Sequence, residues 1–118
     1  MPRFTYLPHL ALTLPDPELA AVFYVRVMGF HIEGRQPDEI EIALDDLHLH
    51  LERGPAPTTP LWFAFETDDL EAAIEDLTEA GCRVSTAAAE LPDGGVLVRD
   101  PFGLGLYITP RQVGPESA

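Results

Sequence analysis

The sequence predicts an α+β protein made of two βαβββ modules, and an internal repeat is the main observation behind this prediction. Residues 9–16 alternate apolar with polar or small side chains and lead into a helix-like stretch that ends at Gly29. Residues 62–69 repeat that alternation and lead into a second such stretch, which ends at Gly81. A repeat of this size indicates two similar supersecondary units, each with an apolar face that it cannot bury alone.

In the first module, every second residue of the opening strand is a leucine, which predicts one apolar face and one face of mixed chemistry. Asp16 is expected to cap the helix that follows, Pro17 suits its first turn, and Gly29 ends it. A loop is expected around residues 34–38 and a turn at residues 45–46. Strands fill the rest of the module, over residues 30–33, 40–44 and 47–52.

The second module follows a proline-rich connection at residues 54–60, which is too short to separate independent domains. Asp68, with Glu71 three residues later, resembles a capping box at the start of the second helix. Gly81 is expected to end that helix, and residues 100–103 form a tight turn. Strands complete the module, over residues 83–91, 96–99 and 104–109.

The size of the chain favours one core. A chain of 118 residues with 46% hydrophobic content can bury about 65% of the surface that it exposes when unfolded, which suffices for a single core. We therefore expect a single domain over residues 1–118, in which module one at about 5–53 and module two at about 60–110 share that core.

The charge of the chain excludes two classes of partner. The net charge is −13, from 20 acidic and 7 basic residues, so most of the surface should repel a nucleic acid backbone or an anionic membrane. The same field favours a cationic ligand, although an acidic surface that aids solubility also explains the charge and is the preferred interpretation. No stretch approaches the roughly 20 apolar residues of a membrane span, and the N-terminus lacks the apolar run of a signal peptide. The expected location is the cytoplasm.

The single cysteine, Cys82, allows no disulfide bond within one chain. It follows Gly81 directly and opens an apolar strand, a position that suits a small buried residue better than a nucleophile.

Several short motifs of the chain occur in a defined order. They are the strand opened by His9, Asp16 before the first helix, Phe23-Tyr24 within it, Met28-Gly29-Phe30 after it, residues 68–73, Gly81, and the turn at 100–103. With these motifs, the chain from about residue 9 to 109 resembles the vicinal oxygen chelate superfamily, which includes glyoxalases, extradiol dioxygenases, fosfomycin-modifying enzymes and bleomycin resistance proteins. The resemblance implies a curled, mixed, eight-stranded sheet around a cleft, commonly completed by a second copy, so we expect a homodimer.

The resemblance also implies a divalent metal site, which this chain keeps only in part. The ligand positions of such enzymes fall on His9, His48, Trp62 and Tyr107, and His50 shares the strand face of His48. Indole has no lone pair for a metal, and a phenol is a poor ligand. Two imidazoles fall short of the three protein ligands that a catalytic metal usually has. We therefore expect no metal or other cofactor and no catalytic residue.

Two functions remain as hypotheses. The first is a metal-free small-molecule binding protein that resembles the bleomycin resistance branch and sequesters an aromatic or cationic ligand by stacking and cation–π contacts. Its expected ligand contacts are Trp62, Tyr107, His9, His48, His50 and Glu66. The alternative is a lyase or dioxygenase of the glyoxalase type that depends on a divalent metal such as Zn, Mn, Ni or Fe, held by His9 and His48. A carboxylate of Glu41 or Glu66 could supply a missing ligand or be solvated, and both aromatic residues could instead fill the cleft as core.

Overall fold

The computed structural model of the chain describes residues 2–3, 5–58, 61–86 and 94–111. The chain divides into two units, Met1–Pro57 (unit 1) and Thr58–Ala118 (unit 2). Both units have the element order β-α-β-β-β, which confirms the predicted α+β fold with two βαβββ modules. That the two modules share one core stays a prediction.

Unit 1 contains, in chain order, β1 (His9–Leu14), α1 (Pro17–Met28), β2 (His31–Gln36), β3 (Glu39–Leu44) and β4 (Leu47–Arg53). Its strands form a four-stranded sheet in the order β1-β4-β3-β2. The β1 and β4 strands run parallel, and the other neighbours are antiparallel.

Unit 2 contains β5 (Trp62–Thr67), α2 (Leu70–Glu79), β6 (Arg83–Thr86), β7 (Val96–Arg99) and β8 (Gly105–Pro110). Its sheet repeats the topology of unit 1, with the order β5-β8-β7-β6 and a parallel pair at β5 and β8. In the described part of the chain, the eight strands therefore hydrogen-bond as two sheets of four. The cleft that the resemblance implies stays a prediction.

The ends of α1 form as the sequence predicts. The side chain of Asp16 accepts a hydrogen bond from the backbone N–H of Leu19 at 3.0 Å, and Pro17 occupies the first turn. Gly29 adopts a φ of 87°, and its N–H donates to the carbonyl of Tyr24. A left-handed residue at this position favours glycine, which explains why the helix ends there.

The start of α2 lies one residue later than the predicted capping box. The N-cap is Asp69, whose side chain accepts from the backbone N–H of Ala72 at 3.0 Å. An N-cap side chain bonds to the amide two or three residues ahead of it, so the cap must be the last residue with extended backbone before the helix. Asp69 is that residue, with φ −146° and ψ 89°, and the assignment of the cap to Asp68 was wrong.

Several strand boundaries also differ from the predicted ones, by one to three residues. Strand β2 continues to Gln36 through the expected loop at 34–38, because an irregularity between Ile32 and Gly34 lets it stay paired with β3. Strand β8 begins at Gly105 because the N–H of Leu104 donates to the side chain of Asp100 in the preceding turn, at 2.8 Å. Of the predicted strand over 83–91, residues 83–86 form β6, and 87–91 lie outside the described part of the chain.

Most buried residues of each sheet lie on the face that packs against the helix of the same unit, and Ala43 and Gly105 are buried on the opposite face. In unit 1 the strands contribute Leu12, Leu14, Ile40, Ile42, Leu49 and Leu51, and α1 contributes Ala20, Phe23 and Tyr24. In unit 2 the core includes Leu77, Cys82, Val96, Val98, Leu106 and Ile108. The opposite face of each sheet, here called its open face, carries the residues of mixed chemistry.

Neither helix in the described part of the chain has the length and hydropathy needed to span a bilayer.

Candidate functional site

Strand register gathers histidine and glutamate side chains on the open face of unit 1. The parallel pairing of β1 and β4 sets His9 opposite His48, and the antiparallel pairing of β3 and β4 sets Glu41 opposite His50. Directly opposite residues point to the same side of a sheet, and so do residues two apart on one strand. His9, His48 and His50 therefore share a face with Glu39 and Glu41, which we call the histidine face.

Hydrogen bonds order the side chains of the histidine face. The Nδ1 atoms of His48 and His50 lie 2.8 Å from Oε2 of Glu41 and Glu39, respectively. An ionised carboxylate only accepts hydrogen bonds, so both Nδ1 atoms donate. His50 then accepts at Nε2 from the Nδ1–H group of His9, across 2.9 Å. This network assigns the lone pairs of His9 and His48 to their Nε2 atoms.

The histidine face contains a group whose chemistry fits a divalent cation. The rings of His9 and His48 stack with centroids 4.4 Å apart and planes within 4°. One ligand atom each from His9, Glu41 and His48 lies within 4.8 Å of the other two. Ligands about 2.0 to 2.2 Å from one ion lie at most about 4.4 Å apart, so a small side-chain adjustment would bring all three to a single ion.

This group differs in one member from the set of three histidines that share the histidine face. His50 is not a member, since its two ring nitrogens bond to Glu39 and His9. Glu41 supplies the third donor, as one of the two carboxylates considered for that role. The predicted positions on Trp62 and Tyr107 offer no comparable donor. Among the residues that the structure describes, those that fit a cation therefore all belong to unit 1.

The open face of unit 2 presents an aromatic pair. The rings of Trp62 and Tyr107 meet edge to face, with centroids 5.8 Å apart and an interplanar angle of 66°. Trp62 is 61% exposed and Tyr107 is half-buried. An indole packs most of its area away from water in an ordinary core, so this degree of exposure leaves much of its surface available to a ligand.

Two glycines allow the aromatic pair to lie close to the backbone. Gly105 is opposite Trp62 in the sheet, and a Cβ atom there would lie 2.8 Å from the Cβ atom of Trp62. A Cβ atom at Gly95 would lie 2.9 Å from the hydroxyl of Tyr107. A glycine inside a strand pattern is the sequence signal for such a close approach.

Glu66, the remaining predicted contact, is exposed on the same open face of unit 2, opposite Thr109. It is four residues from Trp62 on β5, which separates the two by about 13 Å. Within the described residues, Glu66 joins no group of potential metal ligands. The structure thus places His9, His48 and His50 together in unit 1, and Trp62, Tyr107 and Glu66 on one face of unit 2.

Three residues of these faces were not predicted from the sequence. Glu39 was missed, although a turn at residues 45–46 sets Glu41 opposite His50 and alternation along β3 then puts Glu39 on the same face. Arg83 and Arg99 were missed because their pairing depends on the register of β6 and β7, which has an irregularity between Val84 and Thr86.

Cys82 is not a candidate nucleophile. The residue is 4% exposed. Burial, and to a lesser extent the negative charge of Asp100, raises the pKa of its thiol from 9.0 to about 11. Because the thiolate is the reactive form, this environment keeps the residue inert at neutral pH.

Comparisons with known proteins agree with this architecture. The model of the Glyoxalase/Bleomycin resistance protein/Dioxygenase superfamily matches residues 6–108. A search of curated proteins gives no match. Solved structures with the same fold include TnmS3, an antibiotic binding protein from Streptomyces sp. CB03234, at 22% identity, with 95% of this chain and 100% of that chain covered and a TM-score of 0.73.

Two further structures are similar at comparable levels. TioX from Micromonospora sp. ML1 is 22% identical, with 92% of this chain and 100% of that chain covered and a TM-score of 0.72. Lactoylglutathione lyase from Agrobacterium tumefaciens is 20% identical, with 93% and 96% covered and a TM-score of 0.68. These likenesses show the fold alone, whereas the family match covers most of the sequence. The chain belongs to the glyoxalase/bleomycin resistance protein/dioxygenase superfamily.

Proposed function

We propose that this protein binds a planar small organic molecule through Trp62 and Tyr107 and does so without a metal. The observation that carries the proposal is the exposure of Trp62, 61%, beside the half-buried ring of Tyr107. An antibiotic binding protein among the structural neighbours supports the same class of function. The ligand contacts expected at His9, His48, His50 and Glu66 stay predictions, to be tested by substituting each residue.

The geometry suits a flat ligand for energetic reasons. Stacking on an exposed indole contributes about 0.5 to 1.5 kcal/mol beyond the area that it buries. Gly105, opposite Trp62, is buried, so a ring would contact the exposed part of the indole and not the backbone beneath it. We expect Trp62→Ala to weaken binding about tenfold, which corresponds to about 1.4 kcal/mol.

The test is a fluorescence titration, because Trp62 is the only tryptophan of the chain. Planar compounds of different charge are added and the quenching of Trp62 is followed, with equilibrium dialysis as an independent measure of binding. Saturable quenching that dialysis confirms, together with weaker binding of the same compound to Trp62→Ala in dialysis, supports the proposal. The matched control is Tyr6→Ala, which removes an exposed aromatic side chain from unit 1. Lack of saturable binding by both methods, across the panel, would overturn the proposal.

A second candidate function, a metal-dependent lyase or dioxygenase of the glyoxalase type, is favoured by the group His9, Glu41 and His48. A divalent ion held there would supply a Lewis acid that polarises an oxygen of a bound substrate. The chain itself would hold His9 in place, and fix its tautomer, through His50 and Glu39. As a ligand, Glu41 would exchange its hydrogen bond with Nδ1 of His48 for the ion.

Metal binding distinguishes the two candidates. The protein is incubated with Zn, Mn, Ni or Fe(II), dialysed, and analysed for bound metal per chain. One ion per chain that is lost in His9→Ala and in Glu41→Gln, but kept in His31→Ala, would establish the metal site and contradict the metal-free form of the first proposal. His31 is a suitable control because it is exposed and pairs with Glu33 instead. Substoichiometric metal in the unaltered protein would reject the second candidate.

A further inference from the structure

The open face of unit 2 carries two arginines side by side. Arg83 on β6 is directly opposite Arg99 on β7, and both are exposed. Arg99 is in turn opposite Gly105, and Gly105 is opposite Trp62. Since opposite residues point to the same side of a sheet, one row across all four strands contains two arginines, a buried glycine and a tryptophan.

Without a bound partner, this pair of arginines destabilises the fold. Like charges directly opposite each other in a sheet are destabilising. The ion pairs and hydrogen bonds formed among the described residues include neither Arg83 nor Arg99, although the chain has 20 acidic residues for 7 basic ones. A bound anion would relieve the repulsion, and guanidinium groups are the side chains best suited to bind carboxylate or phosphate through paired hydrogen bonds.

The spacing of Arg99 and Trp62 would allow one flat ligand to contact both side chains. Adjacent strands are about 4.8 Å apart, so the backbones of Arg99 and Trp62 are separated by about 9.6 Å, with Gly105 between them. No side chain rises from Gly105, and a Cβ atom there would collide with Trp62. Gly105 itself is buried, so a planar molecule would lie on the outer side of the exposed Trp62 and Arg99 side chains, in contact with the indole and a guanidinium group.

The rest of the open face orients such a ligand. The next row of the sheet contains the half-buried Leu97 and Tyr107 together with Ala64. The row beyond it contains Thr109 and the exposed acidic Glu66. The face therefore runs from cationic through apolar to acidic. An anionic group is attracted to the first row and repelled from the last.

We propose that unit 2 binds a planar aromatic molecule that carries an oxyanionic group, with Arg83 and Arg99 binding the oxyanion and Trp62 stacking on the ring. This inference rests on the proposed small-molecule function and specifies its ligand. It assigns to the ligand a charge opposite to the one that the net charge of −13 favours by itself. The two nearby arginines determine the preferred charge of the ligand, because surface charges more than about 8 to 10 Å away are largely screened at physiological salt.

The test compares ligands that share a ring and differ in charge. A naphthoate, the corresponding naphthamide and a naphthylmethylammonium ion are titrated against the full chain by Trp62 fluorescence and calorimetry, and an anthraquinone series of the same three charges is run in parallel. We expect the carboxylate to bind at least about tenfold more tightly than the amide. The difference in affinity between the carboxylate and the amide should decrease as the salt concentration is raised. An aryl phosphate of the same ring then shows whether the site prefers carboxylate or phosphate.

Variants assign the effect to the two arginines. Arg83→Gln with Arg99→Gln should reduce carboxylate binding to the level of the amide and leave amide binding unchanged. Arg99→Lys keeps the charge but loses the planar pair of donors, so it should retain only part of the advantage. Arg26→Gln removes the same charge from an exposed position on α1 in unit 1 and should have no effect.

The outcomes separate this inference from the function on which it rests. If the amide or the ammonium ion gives a saturable response that Trp62→Ala weakens, but the carboxylate binds no more tightly, the small-molecule function stands and the anionic ligand is rejected. A carboxylate advantage that persists in the double glutamine variant also rejects the assignment to Arg83 and Arg99. If none of the compounds in either series binds, both proposals fail.

Discussion

The Nδ1 atom of His9 lies 2.9 Å from the Nε2 atom of His50, so one proton is held between the two rings. Since Nδ1 of His50 donates to Glu39, that proton belongs to His9. The two histidines are on neighbouring parallel strands and 41 positions apart in the chain. Pairing of β1 with β4 thus fixes both the orientation and the tautomer of an exposed ring.

This contact predicts the tautomer of His9. At neutral pH, ¹⁵N chemical shifts of the ring nitrogens should identify His9 as the Nδ1–H form. In His50→Ala the acceptor that holds this proton is gone, so the population of the Nδ1–H form should fall. His31→Ala leaves the network intact and should not change the ring shifts of His9. An Nε2–H form of His9 in the unaltered protein would contradict the network.

The N-terminus of α2 predicts different effects for two adjacent aspartates. Asp69→Ala removes the acceptor of the Ala72 amide and should lower the free energy of unfolding by about 1 kcal/mol. Asp68→Ala is the matched control, because Asp68 is exposed and does not cap the helix, and its effect should stay within about 0.5 kcal/mol. Urea denaturation measures both. If Asp68→Ala lowered the free energy of unfolding more than Asp69→Ala does, Asp68 would be the N-cap, as the sequence suggested.

Substitution of Gly105 tests the close approach of Trp62 to the backbone. A Cβ atom at this position would lie 2.8 Å from the Cβ atom of Trp62 and 3.1 Å from the carbonyl oxygen of Leu61. We expect Gly105→Ala to destabilise the fold by about 1 to 3 kcal/mol and to shift the emission of Trp62, since overpacking forces local displacement. Gly34→Ala is the control, because nothing lies within 4 Å of its added methyl group. Equal stability of the two variants would contradict this packing.

Cys82 predicts a pH dependence of stability. Its thiol has a pKa of about 11 in the folded chain, raised from 9.0 by burial and then by Asp100. The unfolded chain therefore loses this proton at lower pH, and deprotonation favours unfolding. The contribution to stability should be constant below pH 9.0 and should fall as the pH rises towards 11.

The measurement is the slope of unfolding free energy against pH over that interval, in the unaltered chain and in Cys82→Ala. The alanine variant lacks the titrating group, so its slope should be shallower even if the lost side-chain volume lowers its stability at every pH. Identical slopes in the two proteins would show that the thiol titrates alike in the folded and unfolded chains.

Local patterns predicted most of the fold, whereas the side-chain groups depended on register. Asp16 and Gly29 mark the ends of α1 because caps and left-handed glycines are local features. The aspartate pair at 68–69 was ambiguous because either residue could cap α2, and only the backbone geometry distinguishes them.

The chemistry of the open faces could be predicted in part. Alternation alone placed His48 and His50 on one face, but the bond from His9 to His50 requires the parallel register of β1 and β4. The pairing of Arg83 with Arg99 could not be predicted from the sequence, because an irregularity in β6 shifts the register by one residue. Since a shift of one residue exchanges the faces of a strand, such groups cannot be read from sequence spacing alone.

The central claim, that Trp62 contacts a planar ligand, can be tested most directly by NMR. Because the chain has a single tryptophan, its indole Nε1–H group gives one resonance in a ¹H–¹⁵N spectrum. Titration with a naphthoate or an anthraquinone carboxylate should move this resonance saturably, with the same dissociation constant as calorimetry. The claim would be contradicted if the indole resonance stayed in place while calorimetry reported saturable binding. It would also be contradicted if neither NMR nor calorimetry detected binding.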